Sequence, residues 1–369
     1  MAPVISALRA RPEHFETIVV TTAQHREMLA QALDAFGLTP QVDLSLMSTR
    51  QSLADFTSRA LLALSSCFGE LRPDIVLVQG DTTTVLAASL AAYYLGIAVG
   101  HVEAGLRSGN LRNPFPEELN RRMAGAVAEL HFAPTARARD NLIHEGVPGD
   151  RVFITGNTIV DALMQMPRRE RFESDVLDGV PWHEQVVLVT VHRRENIGEP
   201  LHEICAAIRE IVLLHPRVHV VFPVHLNPRV RDIVMPELAS SERVLLTDPL
   251  SYGDLLEAVR RSVFVMTDSG GIQEECPSLR KPVLVLRQNT ERPEVVTSGF
   301  GRVVGTDSPA IVATADRLLR YPDELRAMTT GENPFGRGDA GERIAMVLQA
   351  HMTSRAAASG QRSGGTASA

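Results

Sequence analysis

Aromatic residues are scarce in this 369-residue chain: one Trp, four Tyr and twelve Phe make up 5% of it. That is too few for the stacking platforms on which single-stranded nucleic acids bind. Three cysteines, Cys67, Cys205 and Cys276, are odd in number and far apart. They form neither a disulfide framework nor a C-x-x-C metal or redox motif, and are read as reduced thiols. No apolar run approaches the roughly 18 to 20 residues of a membrane span, and the opening MAPVISALRARPEHF lacks the basic-then-apolar layout of a secretory signal. The expectation is a cytoplasmic protein with no membrane partner. Net charge is −7, from 37 Lys and Arg against 44 Asp and Glu. That balance argues against a nucleic-acid partner and leaves room for a local cationic pocket that holds a small anion.

What is present is the rhythm of βαβ units. Short β-rich apolar runs alternate with helical patterns of roughly ten to fifteen residues, which predicts parallel sheets. Strands are expected at 17–22, 74–79, 98–103, 130–134 and 152–156, and again at 186–191, 218–224, 244–247, 263–267, 282–286 and 302–304. The division follows: a Rossmann-like domain over 1–165, a charged linker over 166–183, a second Rossmann-like domain over 184–335, a helix over 336–352, and a small, polar, disordered tail over 353–369. The chain opens in a helical pattern at 3–11 with no strand before it. A doubly wound sheet of order 3-2-1-4-5-6 places its first strand at the centre, so the first sheet is expected to lack that strand and to leave unpaired edges on two neighbours.

Ligands of open α/β sheets bind beyond the carboxyl ends of the strands, which directs attention to the residues just after each apolar run. There the chain carries Gly80-Asp81-Thr82, Glu103-Ala104-Gly105, His192-Arg193-Arg194-Glu195-Asn196 and Asp268-Ser269-Gly270-Gly271. Asp81 reads either as an acid/base group or as the N-cap of the helix that follows. Glu103 ends an apolar strand where a carboxylate has no capping geometry, which favours chemistry. Ser269-Gly270-Gly271 reads either as a simple strand-to-helix turn or as a phosphate cradle, in which glycines let backbone N–H groups approach an anion. With the cradle, Glu275 is placed to accept ribose hydroxyls and Arg292 to pair with phosphate. A nucleoside diphosphate bound by the second half is expected, with Asp81, Glu103 and Glu117 of the first half facing its substituent. Neither a Walker loop nor a G-x-G-x-x-G fingerprint occurs; no redox cofactor and no metal are expected.

Six segments, QGDTTTV (79–85), HVEAGLRSG (101–109), PEELNR (116–121), VHRRENIGEP (191–200), DSGGIQEE (268–275) and ERPE (291–294), resemble in order the non-hydrolysing UDP-N-acetylglucosamine 2-epimerase family. The resemblance implies an α/β, glycosyltransferase-B-like fold of two Rossmann-type domains, a homodimer, UDP in the cleft, and interconversion of UDP-GlcNAc and UDP-ManNAc for surface polysaccharide. It implies catalytic roles for Asp81, Glu103, Glu117 and His192, and UDP contacts for Ser269, Gly270, Gly271, Glu275 and Arg292. It also implies an activating second UDP-GlcNAc, held by Gln24 of a Gln-His-Arg motif, Arg50, Glu117, Arg193 and His225. Glu27 stands where the family has a second glutamine.

Family members begin with a strand, a Gly-Thr-Arg-Pro-Glu-like loop and a lysine before the Met-Ala-Pro that opens this chain. The expectation is either a longer natural protein or a degraded copy. Alternatives to the 2-epimerase are a sister epimerase of UDP-2,3-diacetamido sugars, a hydrolysing epimerase releasing free ManNAc, and a remnant that binds nucleotide sugar without turnover.

Overall fold

The structure is a computed structural model and describes residues 1–22, 33–34, 36–47, 51–112 and 114–363. The chain forms two compact units, one from residues 1–166 and 336–369, the other from 167–335. Among the described residues every strand pairing is parallel.

In the first unit the strands are β1 (Val20–Thr21), β2 (Val42–Asp43), β3 (Ile75–Gln79), β4 (Ala98–Val102), β5 (Leu130–Ala133) and β6 (Val152–Ile154). They fall into two ladders, β1-β2 and β3-β4-β5-β6. The two-residue β2 is the strand that apolar patterning did not anticipate. Period-two alternation in Ile75–Gln79 sends Val76 and Val78 to one face, against Phe56, Ala60, Leu64 and Phe68 of helix Leu53–Leu71. Ile75 and Leu77 go to the other, with Val4 and Leu8 of helix Ala2–Arg9 and Ile344 and Leu348 of helix Ala340–Ser363. The last helix therefore completes the first unit's core. Its start is fixed by Asp161, whose Oδ1 accepts the Gly341 amide at 2.8 Å.

The second unit has β7 (Gln185–Thr190), β8 (Val218–Pro223), β9 (Val244–Thr247), β10 (Phe264–Thr267), β11 (Val283–Val285) and β12 (Gly301–Val303), in the order β12-β11-β10-β7-β8-β9. This is the doubly wound order, and the direction of winding reverses between β7 and β10. Valine- and leucine-rich strands such as Gln185–Thr190 are buried on both faces, as a sheet covered by helices on each side requires.

Two expectations need correction. The segment 166–183 is not an open linker: from residue 167 it belongs to the second unit. The amides of Glu173 and Ser174 donate to the two oxygens of buried Asp254 at 2.9 and 3.0 Å. Phe172 packs against Trp182 at 5.2 Å, and the Arg261 guanidinium lies over its ring. Isolated apolar residues among charges gave no periodicity, yet these few contacts fix the segment. The tail, expected to be disordered from 353, continues the last helix to Ser363. Residues 364–369 of that tail lie outside the described residues.

Candidate active site

In the first unit the site begins at the paired ends of β3 and β4, where Gln79 and Val102 are in register. Gly80 and Gly105 take positive φ of 80° and 88°. A Cβ on Gly105 would fall 2.1 Å from the Ala138 carbonyl oxygen, so only glycine fits. Glu103 itself has φ of 63°, a conformation that side chains disfavour and that clusters at functional sites. Its Oε2 accepts from Gln79 Nε2 at 3.3 Å.

Asp81 is not the helix cap. Thr82 fills that role, its side chain accepting from the Val85 amide at the start of helix Thr83–Tyr94. The Asp81 carboxylate turns instead to buried Arg121, which reaches Oδ2 through Nε at 2.9 Å and through its second terminal nitrogen at 2.7 Å. Arg121 also donates to fully buried Glu118 at 3.1 Å. Asn120 donates to the Asp81 carbonyl at 2.8 Å. His101 fixes the preceding carbonyl, Gly80 O, at 2.8 Å. A carbonyl only accepts, so Nε2 carries the proton; burial holds this imidazole down to about 4, and it is neutral. Glu117 opens helix Glu117–Val127, one turn before Arg121, and its Oε2 is buried without a hydrogen-bond partner among the described residues. Asp81 and Glu103 thus follow the ends of two paired strands, and Glu117 stands one helical turn before the arginine that holds Asp81.

In the second unit the ends of β7 and β10 meet at the reversal of winding, joined by a Thr190–Thr267 hydroxyl contact of 2.6 Å. Asp268, fully buried, organises the β7 end: it accepts from the amides of His192 (3.1 Å) and Arg193 (2.9 Å) and from Asn196 Nδ2 (3.0 Å). His192 Nδ1 lies 3.4 Å from the same carboxylate, and its ring stacks on His225 at 5.9 Å. Burial, with Arg193 and His225 beside it, pulls the His192 pKa below the usual histidine value against the pull of Asp268.

Helix Gly270–Ser278 starts with Ser269 at its N-cap and no side-chain capping bond, which leaves its first amides open to an anion. A Cβ on Gly270 would lie 3.5 Å from an Arg193 terminal nitrogen and 3.8 Å from the Arg292 guanidinium. Two cations and a helix N-terminus therefore border one small space. Arg292 is held by buried Glu274, and its amide donates to Thr290 Oγ1, which bonds Gln273. Glu275 lies one turn along the helix, accepts from the Tyr252 hydroxyl at 3.0 Å, and has its Oε2 buried without a partner among the described residues. Burial, reinforced by Glu274, pushes its carboxyl up to about 8.

Ser269, Gly270, Gly271, Glu275 and Arg292 are thus brought together, with Arg193 on the same cradle and His192 and His225 beside it. Gln24 to Glu27 and Arg50 lie outside the described residues. Sequence reasoning did not assign Asp268, Arg121, Glu118, Asn120 or Tyr252. For Asp268 a signal existed, an acid at a strand end before a glycine pair.

Two Rossmann-type units with an anion cradle at a switch point define an α/β protein of the glycosyltransferase-B-like class. Within that class, the chain belongs to the UDP-N-acetylglucosamine 2-epimerase family, whose model matches residues 6–349. It is 51% identical over 351 residues to UDP-N-acetylglucosamine 2-epimerase of Bacillus subtilis (strain 168), covering 95% of this chain and 92% of that protein. Identity to the Escherichia coli (strain K12) UDP-N-acetylglucosamine 2-epimerase is 47% over 356 residues, 95% of this chain and 94% of the other. Among solved structures, UDP-GlcNAc 2-epimerase from Neisseria meningitidis bound to UDP-GlcNAc matches with a TM-score of 0.88 and 42% identity, covering 94% of this chain and 95% of that one. No helix among the described residues is long and apolar enough to cross a membrane.

Proposed function

We propose that this chain interconverts UDP-N-acetylglucosamine and UDP-N-acetylmannosamine by inverting C2, in supply of surface-polysaccharide synthesis. The observation that carries the reading is the cradle in the second unit, where the uncapped helix N-terminus meets Arg193 and Arg292 at Gly270. That arrangement suits a diphosphate, and the family supplies the sugar.

The C2 hydrogen of an N-acetylhexosamine is not next to a carbonyl and resists simple deprotonation. Cleavage of the C1–O bond makes C1 cationic and acidifies C2. A base takes the C2 proton, the C1–O electron pair leaves with UDP, and a C1=C2 double bond forms, giving 2-acetamidoglucal. In the return step a proton is delivered to the other face of C2 and the diphosphate oxygen reattacks C1. Two acid/base groups are required, and Asp81, Glu103 and Glu117 are assigned to them; such help is worth about 10² to 10⁴ in rate. His192, Arg193, Arg292 and the Gly270 and Gly271 amides are assigned to the departing diphosphate, each donor contributing about 10² to 10³. Glu275 is assigned to the ribose. A second UDP-GlcNAc, contacting Glu117, Arg193 and His225, is assigned as activator.

Incubation with UDP-GlcNAc tests the reading. UDP-ManNAc as product supports it; UDP with free ManNAc defines a hydrolase, and binding without product defines a remnant, either of which overturns it. Activation predicts that pure UDP-ManNAc reacts poorly until a trace of UDP-GlcNAc is added, because the two sites share a coupling free energy.

A further inference from the structure

We propose that Tyr252 is the positioning residue that gives the nucleotide site its selectivity for ribose, by holding the Glu275 carboxyl so that Oε2 is presented to the 2′- and 3′-hydroxyls. The proposal rests on the assignment of Glu275 to the ribose made above. Three observations carry it. The Tyr252 hydroxyl donates to Glu275 Oε1 at 3.0 Å, while Oε2 is buried with no partner among the described residues. A buried carboxyl oxygen without a donor is costly, and a hydroxyl brought by a ligand removes that cost.

Tyr252 is also held rigidly. It opens helix Tyr252–Arg261, whose N-cap Ser251 accepts from the Asp254 amide at 3.3 Å, while the Asp254 carboxylate is locked by the amides of Glu173 and Ser174. Burial raises the phenol pKa, so the group stays a donor. Finally, Glu275 stands on the same nine-residue helix whose first amides form the anion cradle. The separation between diphosphate and ribose contacts is therefore set by one rigid element, and Tyr252 sets the remaining freedom, the carboxyl rotation.

The test compares the affinities of UDP and 2′,3′-dideoxy-UDP for the wild type and for Tyr252→Phe by calorimetry, on proteins shown by thermal melt to be folded. The expected result is UDP binding about tenfold weaker in the variant, the scale of one hydrogen bond to a charged group, with dideoxy-UDP affinity changed by less than about twofold. The KM for UDP-GlcNAc rises in parallel, with kcat nearly unchanged. Both ligands report on the same folded protein, so their ratio is insensitive to partial unfolding. Equal weakening of both ligands, or no weakening, overturns the proposal and leaves the ribose assignment standing. Failure of the wild type to distinguish the two ligands overturns that assignment and the proposal with it.

Discussion

Asp268 shows how much of this site depends on single residues that touch no proposed substrate. One buried carboxylate gathers the backbone of His192 and Arg193 and the Asn196 amide. Its loss strands several buried donors, each worth about 1 to 3 kcal/mol. Asp268→Ala is therefore expected to cost at least about 3 kcal/mol in urea unfolding, and wild-type stability would refute the role. Among the acids, Asp81→Asn, Glu103→Gln and Glu117→Gln are each expected to lower turnover by at least about 10² while UDP still binds. Wild-type rates in two of the three contradict the assignment. Glu275 adds a pH dependence. Its carboxyl is neutral below about 8 in the free protein, and hydroxyls donated by ribose favour the carboxylate, so binding releases a proton. UDP affinity should rise from pH 7 to 8 and level off above, and Glu275→Gln should flatten the profile. At this scale sequence gave the actors and missed the supports. Strand-end acids are local signals, whereas the Arg121–Asp81 and Asp268–His192 relations join residues 40 and 76 positions apart.

At the scale of elements, the start of helix Gly270–Ser278 and the β4–β5 pair carry the argument. A Cβ at Gly270 meets only ordinary contacts, 3.5 Å at the closest, yet it occupies the space bordered by the two arginines. Gly270→Ala should melt within a few degrees of wild type and bind UDP at least about tenfold more weakly, a loss of about 1.4 kcal/mol; unimpaired binding would remove the anion from that helix end. In β4 and β5, His101 and His131 are paired in register, both buried, and burial lowers each pKa to about 4. The unfolded chain takes up these protons near 6.5 and the folded chain only near 4. Stability should therefore fall as pH drops across that window, by up to about 3 kcal/mol for each histidine, and be unaffected by them above it. Urea titrations at pH 7 and 5 check this, and a flat result contradicts the burial argument. Among the described residues, eleven of the twelve strands lie within the apolar runs or differ from them by about a residue, because buried parallel strands are short, continuous and β-branched. β2, two residues long, has no such run to be read from.

At the scale of the molecule, the first unit closes only when the chain returns to it after residue 335. Sequence marked a separate helix there but not its destination, since the apolar stripe of Ile344 and Leu348 does not say which core it joins. The two units divide the proposed labour, with the acids on one and the diphosphate cradle on the other. Elimination and re-addition make one demand that a direct measurement can check: the C2 hydrogen must leave the carbon and be replaced from solvent-exchangeable groups. The most direct measurement is turnover of UDP-GlcNAc in deuterium oxide, with mass analysis of both sugar nucleotides. The account predicts one deuterium at C2 of the UDP-ManNAc formed, and its gradual appearance in recovered UDP-GlcNAc. Retention of the original hydrogen at C2 in the product would contradict it and point instead to a route in which that hydrogen never reaches an exchangeable group.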